Sequence, residues 1–256
     1  SIVHKSPATV SMQIARLEEQ IGARLFVRDT RNLALTRAGE ELEGYARRIL
    51  RLHDEAVEAF RRPDMAGSVT IGAPDDYISS MLPPVLRRFS ALFPRVEINV
   101  VCAQSTALVP RIGKGEIDLA IVTRSGAMDG LLIRREPMVW IASQDRLALE
   151  RMPLPVALFE PGSQARAVVL AALGRSSIRY RCAYENFSHS ALLTIVEAGL
   201  AIAAVVQMSA PANAAFLGEA DGLPPVEPLD VILIRSAGSN SAPCNALAEA
   251  ILDTAG

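Results

Sequence analysis

The sequence is poor in the residues that most protein chemistry requires. It has three cysteines and three histidines in 256 residues. Cys102, Cys182 and Cys244 stand too far apart for a metal-ligand spacing or a redox pair adjacent in sequence. Scattered thiols in odd number fit reduced, buried cysteines in a cytoplasmic protein, not a disulfide framework. His4, His53 and His189 are equally dispersed. No Gly-x-Ser-x-Gly elbow or phosphate-binding glycine loop occurs, so an enzyme on an α/β scaffold would lack visible machinery and a resident cofactor site. No uninterrupted apolar run reaches a membrane span, and no signal peptide is visible. Neither sign of charge prevails: 26 Lys and Arg oppose 28 Asp and Glu. That balance alone does not suggest a nucleic-acid binder.

Half of the residues are hydrophobic, and the length allows more than one domain. The positive charge is local. Residues 1–37 carry Lys5, Arg16, Arg24, Arg28, Arg31 and Arg37 against Glu18, Glu19 and Asp29, as expected if one module alone meets phosphate. Within it, Ser6–Ile21 reads as a helix. Ser6 is an N-cap, Pro7 suits the first helical position, and Gly22 is the stop. Val10, Ile14, Leu17 and Ile21 share one face. The opposite face holds Ala8, Met12 and Ala15 beside Thr9, Ser11 and Arg16, with no acid before Glu18. Short side chains with a few hydroxyl, methyl and guanidinium groups suit a surface that enters a major groove. Leu25–Arg28 and Leu33–Thr36 flank Asp29-Thr-Arg-Asn32, which is hairpin-turn composition with a basic tip.

The run Ser6-Pro-Ala-Thr-Val-Ser-Met-Gln-Ile-Ala-Arg-Leu-Glu-Glu, then Gly22, Leu25-Phe26, Arg28, Arg31 and Leu35-Thr36-Arg-Ala-Gly39, closely resembles the LysR-type transcriptional regulators. The resemblance implies an α+β multidomain chain. Residues 1–36 would form a winged helix-turn-helix, with Ser6, Pro7, Ala8, Thr9, Ser11, Met12, Arg16, Arg28, Arg31 and Asn32 at the DNA. Because little precedes the recognition helix, an N-terminal part of the module is expected to be missing. Thr36 can cap a helix over 37–63, stopped by Pro63. Its apolar residues Ala38, Leu42, Tyr45, Ile49, Leu52, Ala56 and Ala59 alternate steps of four and three, a heptad seam. In the family the equivalent helix dimerises, which assigns Leu42, Tyr45, Ile49, Leu52 and Ala56 to the contact. Double-stranded promoter DNA and further copies of the chain (a dimer, and commonly in the family a tetramer) are the implied partners. RNA polymerase is left open and a membrane is not expected.

Beyond Pro63-Asp-Met-Ala-Gly67 strands and helices alternate. Ser68–Ala73, Val96–Cys102 and Asp118–Val122 read as strands, with helices over Tyr77–Leu92 and from Ser105 to about Lys114. That order predicts a parallel sheet. A second unit follows. Val139–Ala142, Val156–Phe159, Ile178–Tyr184 and Leu200–Val206 read as strands, with helices after Ser163 and over Ser188–Ala198. Leu229–Ile234 and Ala242–Leu252 end the chain. Two α/β lobes resemble the periplasmic-binding-protein-like effector domain of the LysR family, here 67–256. Lobe I would be about 67–142 plus 228–256, and lobe II about 143–227.

Ligands of open α/β sheets bind beyond the carboxyl ends of strands, at helix N-termini. The candidates are Asp75, Asp76, Tyr77, Gln104, Ser105, Thr106, Glu160, Ser163, Asn186 and His189, with Thr123 and Gln207 closing two further strands. The resemblance implies a small-molecule effector there. Asp75 and Asp76 depart from the small hydroxyl residues that many members place after the first strand, and they would repel a carboxylate. A neutral or amine-bearing effector is therefore expected, with Thr123, Ser105 and Gln207 giving neutral hydrogen bonds. A transport-type solute-binding protein is the alternative, but it would have no helix–wing module. Val3-His-Lys-Ser6, Val10-Ser-Met-Gln13, Gly44-Tyr-Ala-Arg47 and Asp221-Gly-Leu-Pro-Pro225 also resemble a subgroup associated with motility and virulence repression.

Overall fold

The structure is a computed structural model that describes residues 6–28, 33–61 and 65–253. The chain divides into two compact units, Ser1–Pro63 and Asp64–Gly256.

In the first unit, α1 (Pro7–Ile21) begins as its sequence dictates. Ser6 is extended, and its Oγ accepts the Thr9 N–H at 3.3 Å. Gly22 ends the helix at φ 73°, a left-handed conformation that favours glycine, and its N–H reaches the Glu18 carbonyl. The Glu18 carboxylate then accepts the Leu25 N–H at 2.8 Å, which ties the next segment to the helix. β1 (Phe26–Arg28) pairs antiparallel with β2 (Leu33–Leu35), Phe26 opposite Leu35. Thr36 closes the unit. Its N–H donates to the Leu25 carbonyl, and its hydroxyl donates to the Arg24 carbonyl at 2.6 Å and accepts the Gly39 N–H at 3.0 Å. It thereby caps α2 (Arg37–Arg61). A Cβ on Gly39 would lie 2.2 Å from the Leu25 carbonyl oxygen, so glycine is what lets α2 meet the buried Leu25. The Leu-Thr-Arg-Ala-Gly run is thus one cap and one close approach.

The heptad positions of α2 are only partly satisfied within the chain. Leu42 is half-buried, whereas Tyr45 and Ile49 are 55% and 68% exposed. The side chains of Leu52 and Ala56 lie outside the described residues, as do Arg31, Asn32 and the side chain of Arg28.

The second unit contains β3 (Ala66–Ala73), α3 (Asp75–Ser80), α4 (Leu82–Leu92), β4 (Arg95–Cys102), α5 (Ser105–Gly113), β5 (Leu119–Thr123) and β6 (Leu131–Glu136). Then come β7 (Met138–Ala142), β8 (Leu154–Phe159), α6 (Gln164–Gly174), β9 (Tyr180–Asn186), α7 (His189–Glu197), β10 (Ala203–Val206) and β11 (Ala215–Leu217). β12 (Leu229–Arg235) and α8 (Ala242–Asp253) complete it. One sheet has the order β4-β3-β5-β12-β6. Its first three strands are parallel and β12 runs antiparallel to β5 and β6. The other lobe repeats this plan. β8 and β9 are parallel, and β8 joins β10 where the Ala157 N–H donates to the Ile202 carbonyl at 2.8 Å. β7 runs antiparallel between β10 and β11. Each lobe thus takes its antiparallel strand from across the junction.

Central strands are buried on both faces, so they read as continuous apolar runs. In β5, Leu119 and Ile121 enter one core cluster and Ala120 and Val122 another, all fully buried.

Four expectations need correction. Cys102 and Cys182 are exposed, and of the three cysteines Cys244 alone is buried. β7 belongs to the second sheet, so the chain changes lobe at Pro137, not after residue 142. The expected Tyr77–Leu92 helix is two helices meeting at Met81, because Pro83 and Pro84 have no N–H to continue the ladder. β6 and β11 were not expected as strands. Leu131 and Leu132 of β6 are consecutive and both more than half exposed, which breaks the period-two signal. β11 has three residues, too few for any period.

Candidate functional site

A cavity of about 290 Å³ lies between the lobes of the second unit, at the carboxyl ends of β3, β5 and β8 and the N-termini of α5 and α6. Asp76, Tyr77, Gln104, Ser105, Thr106, Thr123, Glu160 and Ser163 line it. The other expected residues do not. Gln207 points to solvent while its N–H is held by the Pro137 carbonyl at 2.8 Å. Asn186 turns its Oδ1 onto the Ser188 N–H at 2.8 Å, a local turn. His189 is 4% exposed; Nε2 lies 3.2 Å from the Ser209 carbonyl and Nδ1 has no partner. Burial holds its pKa below the usual value, against the Ser209 carbonyl and the Asp75 charge.

Asp75 has a different task. It leaves lobe I at the start of α3 and caps α7 of lobe II. Its Oδ2 accepts the Ser188 hydroxyl at 2.9 Å and the Ser190 N–H at 3.2 Å, and Oδ1 accepts the His189 N–H at 3.2 Å. Burial would raise its pKa, but the Ser190 and His189 N–H groups and the Ser188 hydroxyl outweigh it, so the group titrates below the usual carboxylate range. The positive end of a helix favours that charge further. Two more bonds cross the cleft. Gln104 donates from Nε2 to the Phe187 carbonyl, and Thr106 donates to Glu160 Oε1 at 3.3 Å.

Of the two neighbouring aspartates, Asp76 is the one that faces the cavity. It is 9% exposed, and its Oδ1 accepts the Tyr77 N–H at 3.0 Å. Burial first, then the neighbouring Asp75 charge, push its pKa up to about 7, opposed by the Tyr77 N–H. Beside it the Tyr77 hydroxyl meets Thr123 Oγ1 at 2.6 Å. Burial, and then the Asp76 charge, raise the phenol's pKa. Ser105 Oγ accepts the Thr123 N–H at 3.0 Å. Below these polar groups the wall is apolar, with Val109, Met128, Met138, Phe159, Val206 and Leu229. These residues, and Ser125 at the mouth, were missed. An apolar residue at a strand end carries no signal that separates a cavity wall from core.

In the first unit, the outward face of α1 is exposed at Ser6, Pro7, Ala8, Ser11, Met12 and Arg16, with Thr9 half-buried. Met12 is 68% exposed, and the first turn contains no acid. The antiparallel hairpin follows directly. Among the described residues, no helix is long and apolar enough to cross a membrane.

Comparison with known proteins matches these two units separately. Residues 63–256 fit the LysR substrate binding domain, and residues 2–40 fit the bacterial regulatory helix-turn-helix protein, lysR family. The HTH-type transcriptional regulator DgdR of Burkholderia cepacia is 35% identical over 233 residues, 90% of this chain and 79% of that protein. The HTH-type transcriptional regulator PecT of Dickeya dadantii (strain 3937) is 34% identical over 251 residues, 97% of this chain and 79% of that protein. Among solved structures, CbnR, a LysR family transcriptional regulator, superposes with a TM-score of 0.57 at 20% identity, covering 97% of this chain and 91% of its own. Full-length BenM does so with 0.55 at 19%, covering 97% and 88%. These structures share the fold, and the helix–wing unit sets aside a transport-type solute-binding protein. The chain belongs to the LysR family: it is a DNA-binding transcriptional regulator with a helix-turn-helix unit and an α/β, periplasmic-binding-protein-like domain for a small-molecule effector.

Proposed function

We propose that α1 reads the major groove of double-stranded promoter DNA, that the wing beside it meets the backbone, and that an effector held between the lobes sets how tightly the protein binds. Ala8, Ser11, Met12 and Arg16 face base edges. Ser6, Pro7 and Thr9 set the start of the helix against the phosphates. Arg28 contacts phosphate, and Arg31 with Asn32 lies at or beside the minor groove. α2 pairs with its counterpart through Leu42, Tyr45, Ile49, Leu52 and Ala56, so two reading helices meet two half-sites. A second, separate contact would make a tetramer. The protein works in the cytoplasm, where its DNA is, and the motifs shared with the motility and virulence subgroup suggest targets of that kind.

The observation that carries this reading is the outward face of α1. It is exposed, made of short side chains and one arginine, and free of acid in its first turn. A solvated helix face ordinarily alternates Lys and Glu, and an acid there would repel phosphate.

Selection of genomic fragments by the protein, followed by titration of the recovered site, tests it. Arg16→Ala should weaken the selected site by roughly ten- to a hundredfold and leave non-specific DNA nearly untouched, the cost of one base contact. Arg28→Ala should weaken every DNA alike and lower the salt slope by about 0.9. Unchanged affinity and slope in both variants would remove α1 and the wing from the interface.

A further inference from the structure

Accepting the interlobe cavity as the effector site, we propose that the effector it selects is a small organic amine, whose ammonium group is taken by Asp76 from lobe I and Glu160 from lobe II.

Among the described residues, the cavity wall has two carboxyl groups and no basic residue. They come from opposite lobes: Asp76 from α3, Glu160 from the segment after β8. Glu160 is the more informative. Its Oε1 is occupied by Thr106, at 3.3 Å, but Oε2 is shielded from solvent and accepts no hydrogen bond. A shielded carboxylate oxygen without a donor carries an uncompensated desolvation cost. A donor supplied by the ligand removes that cost. An ammonium offers three N–H donors and a positive charge, and so can serve both acids at once.

The competing class is a carboxylate, drawn by the helix ends. α5 and α6 begin at the cavity, and each end carries roughly half a positive charge. Together they offset about one negative charge, and above pH 7 Asp76 adds its own charge to that of Glu160. A carboxylate entering here would still meet net negative charge, with no arginine or lysine on the wall to receive it. Asp75 does not alter this balance, because α7 already satisfies it. Asp76 reinforces it. Its pKa of about 7, raised by burial and by Asp75, marks a carboxyl group whose ionised form is short of favourable partners, and a bound cation supplies one. Beside the two acids, the hydroxyls near Thr123 and the neutral polar Gln104, Ser163 and Gln164, the wall has an apolar part made of Val109, Met128, Met138, Phe159, Val206 and Leu229. This suits a compact hydrocarbon body behind the charged head. The volume corresponds to about ten water molecules.

Thermal unfolding of the whole chain at pH 8, with n-butylamine, n-butyrate and 1-butanol at equal concentrations, tests the class. The amine should raise the midpoint in a dose-dependent way, while butyrate and butanol should not. Glu160→Gln and Asp76→Asn should each weaken the amine response by about tenfold or more, as for loss of a charge-assisted hydrogen bond. Ser125→Trp, at the exposed mouth of the cavity, should block it. A response to butyrate that Ser125→Trp abolishes would overturn the amine and keep the cavity. An amine response unaffected by Ser125→Trp and by both acid variants would overturn both the amine and the cavity. No response to the amine at any concentration overturns the amine class.

Discussion

Ile49→Glu is expected to halve the assembly of this protein. Ile49 and Tyr45 stand 68% and 55% exposed on one face of α2, in heptad register with Leu42. A single chain provides nothing among its described residues that covers them. Pairing two such helices buries that face, and a glutamate placed in the seam would be a buried, unpaired carboxylate. Such a defect costs about 3–5 kcal/mol, or roughly a factor of 10² to 10⁴ in the association constant. Sedimentation equilibrium at micromolar concentration should show tetramer falling to dimer, or dimer to monomer. The affinity for a paired half-site should fall with it, because the second half-site is then no longer bound intramolecularly. An unchanged mass with unchanged DNA affinity would place the dimer contact elsewhere.

Asp75→Ala is expected to destabilise the effector domain by about 2 kcal/mol, the upper end for loss of a helix cap. The change removes the acceptor for the Ser188 hydroxyl and for the His189 and Ser190 N–H groups, and it takes a negative charge from the positive end of α7. The bond also spans the lobes, so the cleft should open more readily and amide exchange in the first turn of α7 should quicken. Asp75→Asn should recover part of the loss. If exchange in α7 is unaltered in Asp75→Ala, the cap does not hold the lobes together.

The two neighbouring acids should pull the pH profile in opposite directions. Asp75 titrates below its ordinary range in the folded protein. Its contribution is present above the unfolded carboxylate pKa and is lost as pH falls through the lower folded value. Asp76 titrates near 7 when folded, against 3.8 normally. Its contribution is complete below the unfolded value and declines as pH rises through about 7. The charged and titratable groups beside it are Asp75, Tyr77 and Cys102, with Glu160 in the wall of the same cavity; none of them is a cation that would hold it ionised. Asp76→Asn should therefore flatten the loss of stability between about pH 4 and 7, and chemical denaturation across that range would show it.

Much of this architecture was legible because local chemistry and global fold agree. Ser6, Pro7 and Gly22 bound α1 as their types require, and Thr36 and Gly39 do the same for the start of α2. The buried strands β5 and β8 declared themselves as apolar runs. What was not legible depends on contacts distant in sequence. Asp75 and Asp76 are identical in type and adjacent, yet one caps a helix 114 residues away at His189 and the other faces the cavity. Only the turn of about 100° between successive side chains at the start of α3, set against the placement of lobe II, separates them. Glu160 was visible as a loop acid, but not its bare oxygen. Glu136 was not visible at all. It is 2% exposed at the lobe junction, where it accepts the Met208 N–H at 2.9 Å and pairs with Arg134 at 2.7 Å. A carboxylate at the end of an irregular strand reads as surface.

In the proposed function the cleft and the DNA-reading unit are energetically linked. The direct measurement is the dissociation constant for the genomically selected site, with and without a saturating ligand that stabilises the wild type but not Ser125→Trp. Coupling between two sites is typically about 1–3 kcal/mol and must be reciprocal. DNA affinity should shift by about fivefold or more, and ligand affinity by the same factor when DNA is bound. A ligand that fills the cavity yet leaves both constants unchanged would contradict that link.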